Sequence, residues 1–124
     1  MIGASRGPDD DRIIKELKEK AERIGVSDSV DFAVNKTRSD IMGLFRKAKV
    51  AIHTMRDEHF GISIVEMMSA GLVVIAHASA GPKMDIIGAA HHSVGYLADS
   101  QAAYTKYVVH SMLNYESSDI KSLR

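Results

Sequence analysis

Two short runs, "VAIH" at residues 50–53 and "LVVIAH" at residues 72–77, do most to limit the folds open to this chain. Each is apolar almost without interruption, so neither shows the in-and-out alternation of a strand with one wet face. Continuous apolar runs of this length suit strands of a parallel sheet covered on both faces. Between them lies a helix-like segment closed by Gly71, and parallel neighbours need such a crossover. The same rhythm continues in both directions. Pro8 and the acids Asp9 to Asp11 open a first helix, with Ile13, Ile14, Leu17, Ala21 and Ile24 at helical spacing and Gly25 as its stop. "SVDFAV" alternates Val30, Phe32 and Val34 as a short strand ending at Asn35. Ser39 is expected to cap a second helix that buries Ile41, Leu44, Phe45 and Ala48. Beyond "LVVIAH", "ASAGPK" reads as a turn through Gly81 and Pro82 and "GYLA" as a short strand. Asp99 or Ser100 then caps a last helix carrying Tyr104, Tyr107, Val108 and Met112. Strands and helices alternate almost throughout, which predicts an α/β fold: a Rossmann-like parallel sheet flanked by helices, one domain over residues 1–124.

Composition narrows what such a domain does. The 124 residues hold 16 Lys and Arg against 16 Asp and Glu, a formal net charge of zero. Nucleic acids and anionic membrane surfaces select a basic excess, so neither is an expected partner. Cysteine is absent, which excludes disulfides and thiolate metal sites and suits a reducing compartment. No stretch approaches the roughly 18 apolar residues of a membrane-spanning helix, and "MIGASRGPDDD" has no signal-peptide core. Only Met1 and Ile2 stand where a first strand would begin, so the chain is expected to be a fragment.

In an open parallel sheet, ligands bind beyond the carboxyl ends of the strands. Three loops fall on that edge: "NKTR" after Val34, "TMRDEHFG" after His53, and "ASAGPK" after His77. The second runs through Gly61 into a helix start, where free N–H groups and the helix dipole favour an anion such as phosphate. Gly61 lets backbone approach a ligand closely, and Ser63 adds a hydroxyl in the first turn. Glu58 lies three residues before Gly61. Glu66 sits about a turn into the helix, where side chains lean back towards the N-terminus. Carboxylates beside a phosphate repel it, so their partners should be hydroxyls. A nucleotide sugar offers these on both sides of a diphosphate, hexose at one end and ribose at the other. The plainer reading makes each acid a dipole complement or part of a solvated face. For Glu66, set among Ile62, Val65, Met67 and Met68 on what should be a buried helix, that reading fits less well.

"EHFGISIVEMMSAG" resembles the E-x7-E motif of the family 4 retaining glycosyltransferases, which have the two-Rossmann-domain GT-B architecture. "HTMRDEHFGISIVEMMSAG" followed by "IAHASAGPKMDII" is similar, within that family, to the α-1,2-mannosyltransferases that extend dolichol-linked oligosaccharide from GDP-mannose. The resemblance covers most of the chain and is specific over residues 50–87. It implies the C-terminal, donor-binding half of such an enzyme. Glu58 matches the first glutamate, at the hexose hydroxyls near the reacting carbon, and is the catalytic candidate. Glu66 matches the second, on the ribose. Backbone around Phe60, Gly61 and Ile62 would cradle the diphosphate, with His59, Ser63, Gly81 and Lys83 on the donor as well. Asn35 and its loop fall where the family holds the nucleobase. The implied reaction keeps the anomeric configuration, uses no metal or other cofactor, and passes mannose to a lipid-linked oligosaccharide held by an N-terminal domain missing here. The implied place of the whole protein is the cytosolic face of the endoplasmic reticulum, the fragment itself being soluble and inactive alone. Two departures accompany the match: the family's basic diphosphate-binding residues are not in this chain, and "GAAHHSVGYLA" is His-rich where relatives are acidic.

Six histidines raise the question of a metal. His53, His77 and His59 are the set that the fold would bring nearest, yet none shows a local ligand spacing such as H-x3-H, so no metal site is expected. His91 and His92 read as exposed loop residues, and the tyrosines of the last helix as packing. Two other readings fit the same alternation: a non-catalytic flavodoxin-like interaction domain, and a GT-B relative using another nucleotide sugar.

Overall fold

The computed structural model describes residues 1–123. They form two compact units, Met1–Gly43 and the chain from Leu44 onward. In the first, β1 (Ile2–Gly3) pairs in parallel with β2 (Ala33–Val34), and α1 (Pro8–Arg23) connects them. Pro8 takes the first turn of α1 with Asp9, Asp10 and Asp11 behind it, and Gly25 ends the helix at φ +70°. β2 is shorter than "SVDFAV" predicts, because Ser27–Ser29 form a 3-10 turn and only Ala33 and Val34 pair.

α2 (Arg38–Phe45) corrects two expectations. Thr37, not Ser39, stands at its start: the Thr37 hydroxyl accepts from the Asp40 amide at 3.2 Å. The Asp40 carboxylate in turn accepts from the Thr37 hydroxyl at 2.7 Å and the Thr37 amide at 3.2 Å, a reciprocal box. Of the four residues expected inward, Phe45 is buried and Ile41 half-buried, while Leu44 and Ala48 are exposed. The Thr37 hydroxyl, and after it the Thr37 amide, hold the Asp40 carboxyl below its ordinary 3.8. A depressed folded-state value stabilises the fold above pH 3.8, and that contribution is lost as pH falls through the lowered value. The acid limb of thermal unfolding is therefore expected to be shallower in Asp40→Asn than in the wild type; equal slopes would show that the box contributes nothing.

The second unit is a three-stranded parallel sheet in the order β3 (Val50–His53), β4 (Val73–His77), β5 (Tyr96–Ala98). β4 lies between the other two, and Val73, Val74, Ile75 and Ala76 are wholly shielded from solvent. The expectation that "VAIH" is covered on both faces fails at Ile52, which is 52% exposed. β3 is an edge strand of this sheet, as is β5, and an apolar run does not tell an edge strand from a central one. α3 (Ile62–Ser69) packs on β4, and α4 (Gln101–Leu113) packs across all three strands. Ser100 caps α4, accepting from the Ala103 amide at 3.3 Å. Val73, Ile120 and Leu123 form a core cluster with Val50, Tyr96 and Tyr115 against it, which anchors α5 (Ser118–Lys121) to the sheet through Ile120. "ASAGPK" is not an open turn. Residues 80 and 81 begin a helical segment that continues as a π-helical turn over Pro82–Ile86, with Gly81 in ordinary helical backbone. Proline is tolerated there because the first turn of a helix has no use for its missing N–H.

Candidate functional site

Each of the three carboxyl-edge loops contains a non-glycine residue in the left-handed region: Asn35 at φ 52°, Asp57 at 53° and Ala80 at 39°. Asn and Asp accept this backbone readily, whereas alanine is held there against its preference. Asn35 belongs to the first unit. It is exposed, its amide donates to the Gly3 carbonyl at 3.0 Å, and its side-chain oxygen accepts from the Ser5 amide at 2.8 Å. That oxygen thus ties the start of the chain to the end of β2.

The other nine predicted site residues lie in the second unit, in the loop after β3, on α3, or on the helical segment after β4. Gly61 enters α3 at φ 78° and ψ 41°, and no side chain caps the helix. A β-carbon there would be strained in backbone and would press Ile86 and Ile64 at 3.0 and 3.1 Å. The first-turn N–H groups, those of Ile62 and Ser63 among them, precede any intrahelical acceptor. The loop ahead of them is pinned on three sides. The Gly81 amide donates to the Glu58 carbonyl at 3.0 Å. The Asp57 amide donates to the Ser79 hydroxyl at 2.9 Å, and that hydroxyl meets His77 Nδ1 at 2.8 Å. Upstream, the Tyr104 hydroxyl donates to the His53 carbonyl at 2.9 Å, and burial pushes the Tyr104 phenol up from its ordinary value.

The Glu58 side chain is 23% exposed and points one carboxylate oxygen at His53 Nε2, 3.7 Å away. His59, Phe60, Ile62 and Ser63 are exposed around it, Phe60 at 67%. α3 is not the wholly buried helix that its composition suggests. Ile64 and Met67 face inward, while Ile62 and Val65 are 63% and 42% exposed, and Glu66 is half-buried. Gly81 is buried against the His59 backbone, and Lys83 is exposed on the π-helical turn.

The histidines do not converge. His53 pairs with Ala76 in register, so the alternation of side chains puts His53 and His77 on opposite faces of the sheet. Among the described residues, no group of three His, Asp or Glu side chains is placed to hold a metal ion. His91 and His92 are exposed. Three residues of the site escape a reading by motif. Ser79 is one serine among many and joins Asp57 only through the fold. Tyr104 reads as packing yet holds the end of β3. His53 reads as a candidate ligand, although a lone polar residue closing an apolar strand is the signal that it meets something at the edge.

Residues 7–119 match the model of a family described as glycosyl transferases group 1. Along most of the chain, proteins named GDP-Man:Man(3)GlcNAc(2)-PP-Dol alpha-1,2-mannosyltransferase are similar to it. The mouse protein (Mus musculus) is 37% identical over 111 residues, 89% of this chain and 23% of the relative. The Homo sapiens protein is 36% identical over 111 residues, with the same 89% and 23% covered. That of Xenopus tropicalis is 40% identical over 105 residues, 84% of this chain and 21% of the relative. The chain thus spans less than a quarter of the length of these relatives. No helix among the described residues is long and apolar enough to cross a membrane.

Proposed function

This chain belongs to the group 1 glycosyl transferases, and we propose from that membership that it holds the sugar-nucleotide donor of an α-1,2-mannosyltransferase. The donor is GDP-mannose, as in the names of the relatives. One observation carries the reading: a partly shielded Glu58 in a loop pinned by Gly81, directly ahead of an uncapped helix that Gly61 opens in left-handed backbone. The diphosphate lies at the N-terminus of α3, where backbone N–H groups and the dipole stabilise its charge. Glu58 accepts hydrogen bonds from the mannose hydroxyls and Glu66 from the ribose. His59, Phe60, Ile62, Ser63, Gly81 and Lys83, all of the second unit, line the donor.

In the intact protein, mannose passes with retained configuration to a lipid-linked oligosaccharide at the cytosolic face of the endoplasmic reticulum, and the acceptor is bound by sequence outside residues 1–124. The departing diphosphate takes the proton of the incoming hydroxyl, so this chain supplies positioning and charge stabilisation rather than a metal or a separate base.

Thermal unfolding with GDP, UDP and ADP tests the reading. A nucleotide at about 100 times its Kd stabilises the folded state by about 2.7 kcal/mol. GDP alone is expected to raise the Tm; a response to UDP instead points to a different donor. Silence to all three would favour an interaction domain. Glu66→Ala is expected to weaken GDP binding on the order of tenfold, with a smaller effect on the nucleotide-free Tm. A fall in Tm with GDP affinity intact would make Glu66 a structural residue.

A further inference from the structure

His53 closes β3 in a position of unusual constraint. Its backbone is in register with Ala76, and its carbonyl accepts the Tyr104 hydroxyl at 2.9 Å. Its ring is 14% exposed, and Nδ1 is buried with no hydrogen-bond partner. A carboxylate only accepts hydrogen bonds, so the ring nitrogen turned towards one is the donor and the partnerless Nδ1 is the bare lone pair. The ring proton therefore belongs on Nε2, which faces the Glu58 carboxylate at 3.7 Å. That separation is just beyond a direct hydrogen bond and well within electrostatic reach, in a place where both side chains are largely shielded from water. Among the described residues no hydrogen bond holds the Glu58 side chain, and Gly81 holds only its backbone.

We infer that His53 is a positioning residue for sugar recognition, its Nε2–H orienting the Glu58 carboxylate towards the hexose, so that it sets the preference for sugar-bearing over bare nucleotide. The inference rests on the reading of Glu58 as the hexose-binding acid. It separates His53 from any metal role and from contact with the nucleotide itself.

Calorimetric titration of GDP and of GDP-mannose into the wild type, His53→Leu, His53→Gln and Glu58→Gln tests it. The wild type is expected to bind GDP-mannose more tightly than GDP. His53→Leu should shrink that ratio on the order of fivefold. His53→Gln, whose amide N–H can reach the same carboxylate, should restore most of it. Adding His53→Leu to Glu58→Gln should change the ratio no further. A ratio that survives in His53→Leu overturns the inference while leaving the donor reading intact. A wild type with no preference for GDP-mannose overturns the donor reading. The pairing is then judged without ligand, by a double-mutant cycle on melting temperature, where strict additivity of the two substitutions overturns it as well.

Discussion

Gly81→Ala is expected to lower stability by about 2 kcal/mol, in the range of overpacked positions, and to weaken the donor binding that we propose. A β-carbon at residue 81 would stand 2.4 Å from the His59 carbonyl oxygen and 3.0 Å from that of Glu58. Both obstacles are backbone, so neither can turn aside as a flexible side chain would. The backbone at 81 is ordinary helix, φ −51° and ψ −49°, which alanine adopts freely. The penalty is contact alone, and relief requires moving the peptide that carries Glu58. The melting temperature is expected to fall by roughly 5–10 °C. Gly71→Ala is the matched control: its φ of 80° costs backbone strain, but nothing lies within 4 Å of the added carbon. It should destabilise by about 1 kcal/mol and leave donor affinity unchanged. A Gly81→Ala protein that melts with the wild type would show that the two loops are not seated on each other.

The second large effect belongs to Glu58 in the intact transferase that we propose. Glu58→Gln keeps the shape of the side chain and two hydrogen-bonding atoms but removes the charge. As the bond to diphosphate lengthens, the reacting carbon gains positive character, and a neighbouring carboxylate stabilises that state more than the ground state. Turnover is expected to fall on the order of 100-fold, with KM for GDP-mannose moving far less. A raised KM with kcat intact would assign Glu58 to uniform donor binding and not to the transition state.

How much of this was legible depended on how local the cause was. "LVVIAH" is apolar because β4 is covered on both faces and flanked by strands, and the structure places it so. "VAIH" has the same signature, yet strand order is a property of the assembled sheet, so the exposure of Ile52 could not be read from it. Thr37 and Ser39 are both capping residue types; the box with Asp40 is what separates them, and that spacing was in the sequence to be used. Gly81-Pro82 misled because the same dipeptide serves a turn and a helix start equally. Within the candidate site, Glu66 stood out as an acid among apolar residues, whereas a loop acid such as Glu58 and a glycine before a helix such as Gly61 have ordinary local explanations and gained weight only from the joint pattern. Ser79 and Tyr104 did not, since they act across 22 and 51 residues of chain on backbone groups that any residue type provides.

The hydrogen bond from Tyr104 to His53 has a consequence for the order in which the protein is made. A ribosome delivers His53, Glu58, Gly61 and Glu66 long before β5 and α4 emerge. Until then β4 lacks one of its two neighbours, and the hydroxyl that holds the end of β3 does not yet exist. A nascent polypeptide can therefore contain every glutamate and glycine of the site while its loop is still unfastened. On the donor reading proposed above, recognition waits for β5 and α4, and a nucleotide reaching the protein during synthesis meets the glutamates and glycines before it meets the loop that seats them.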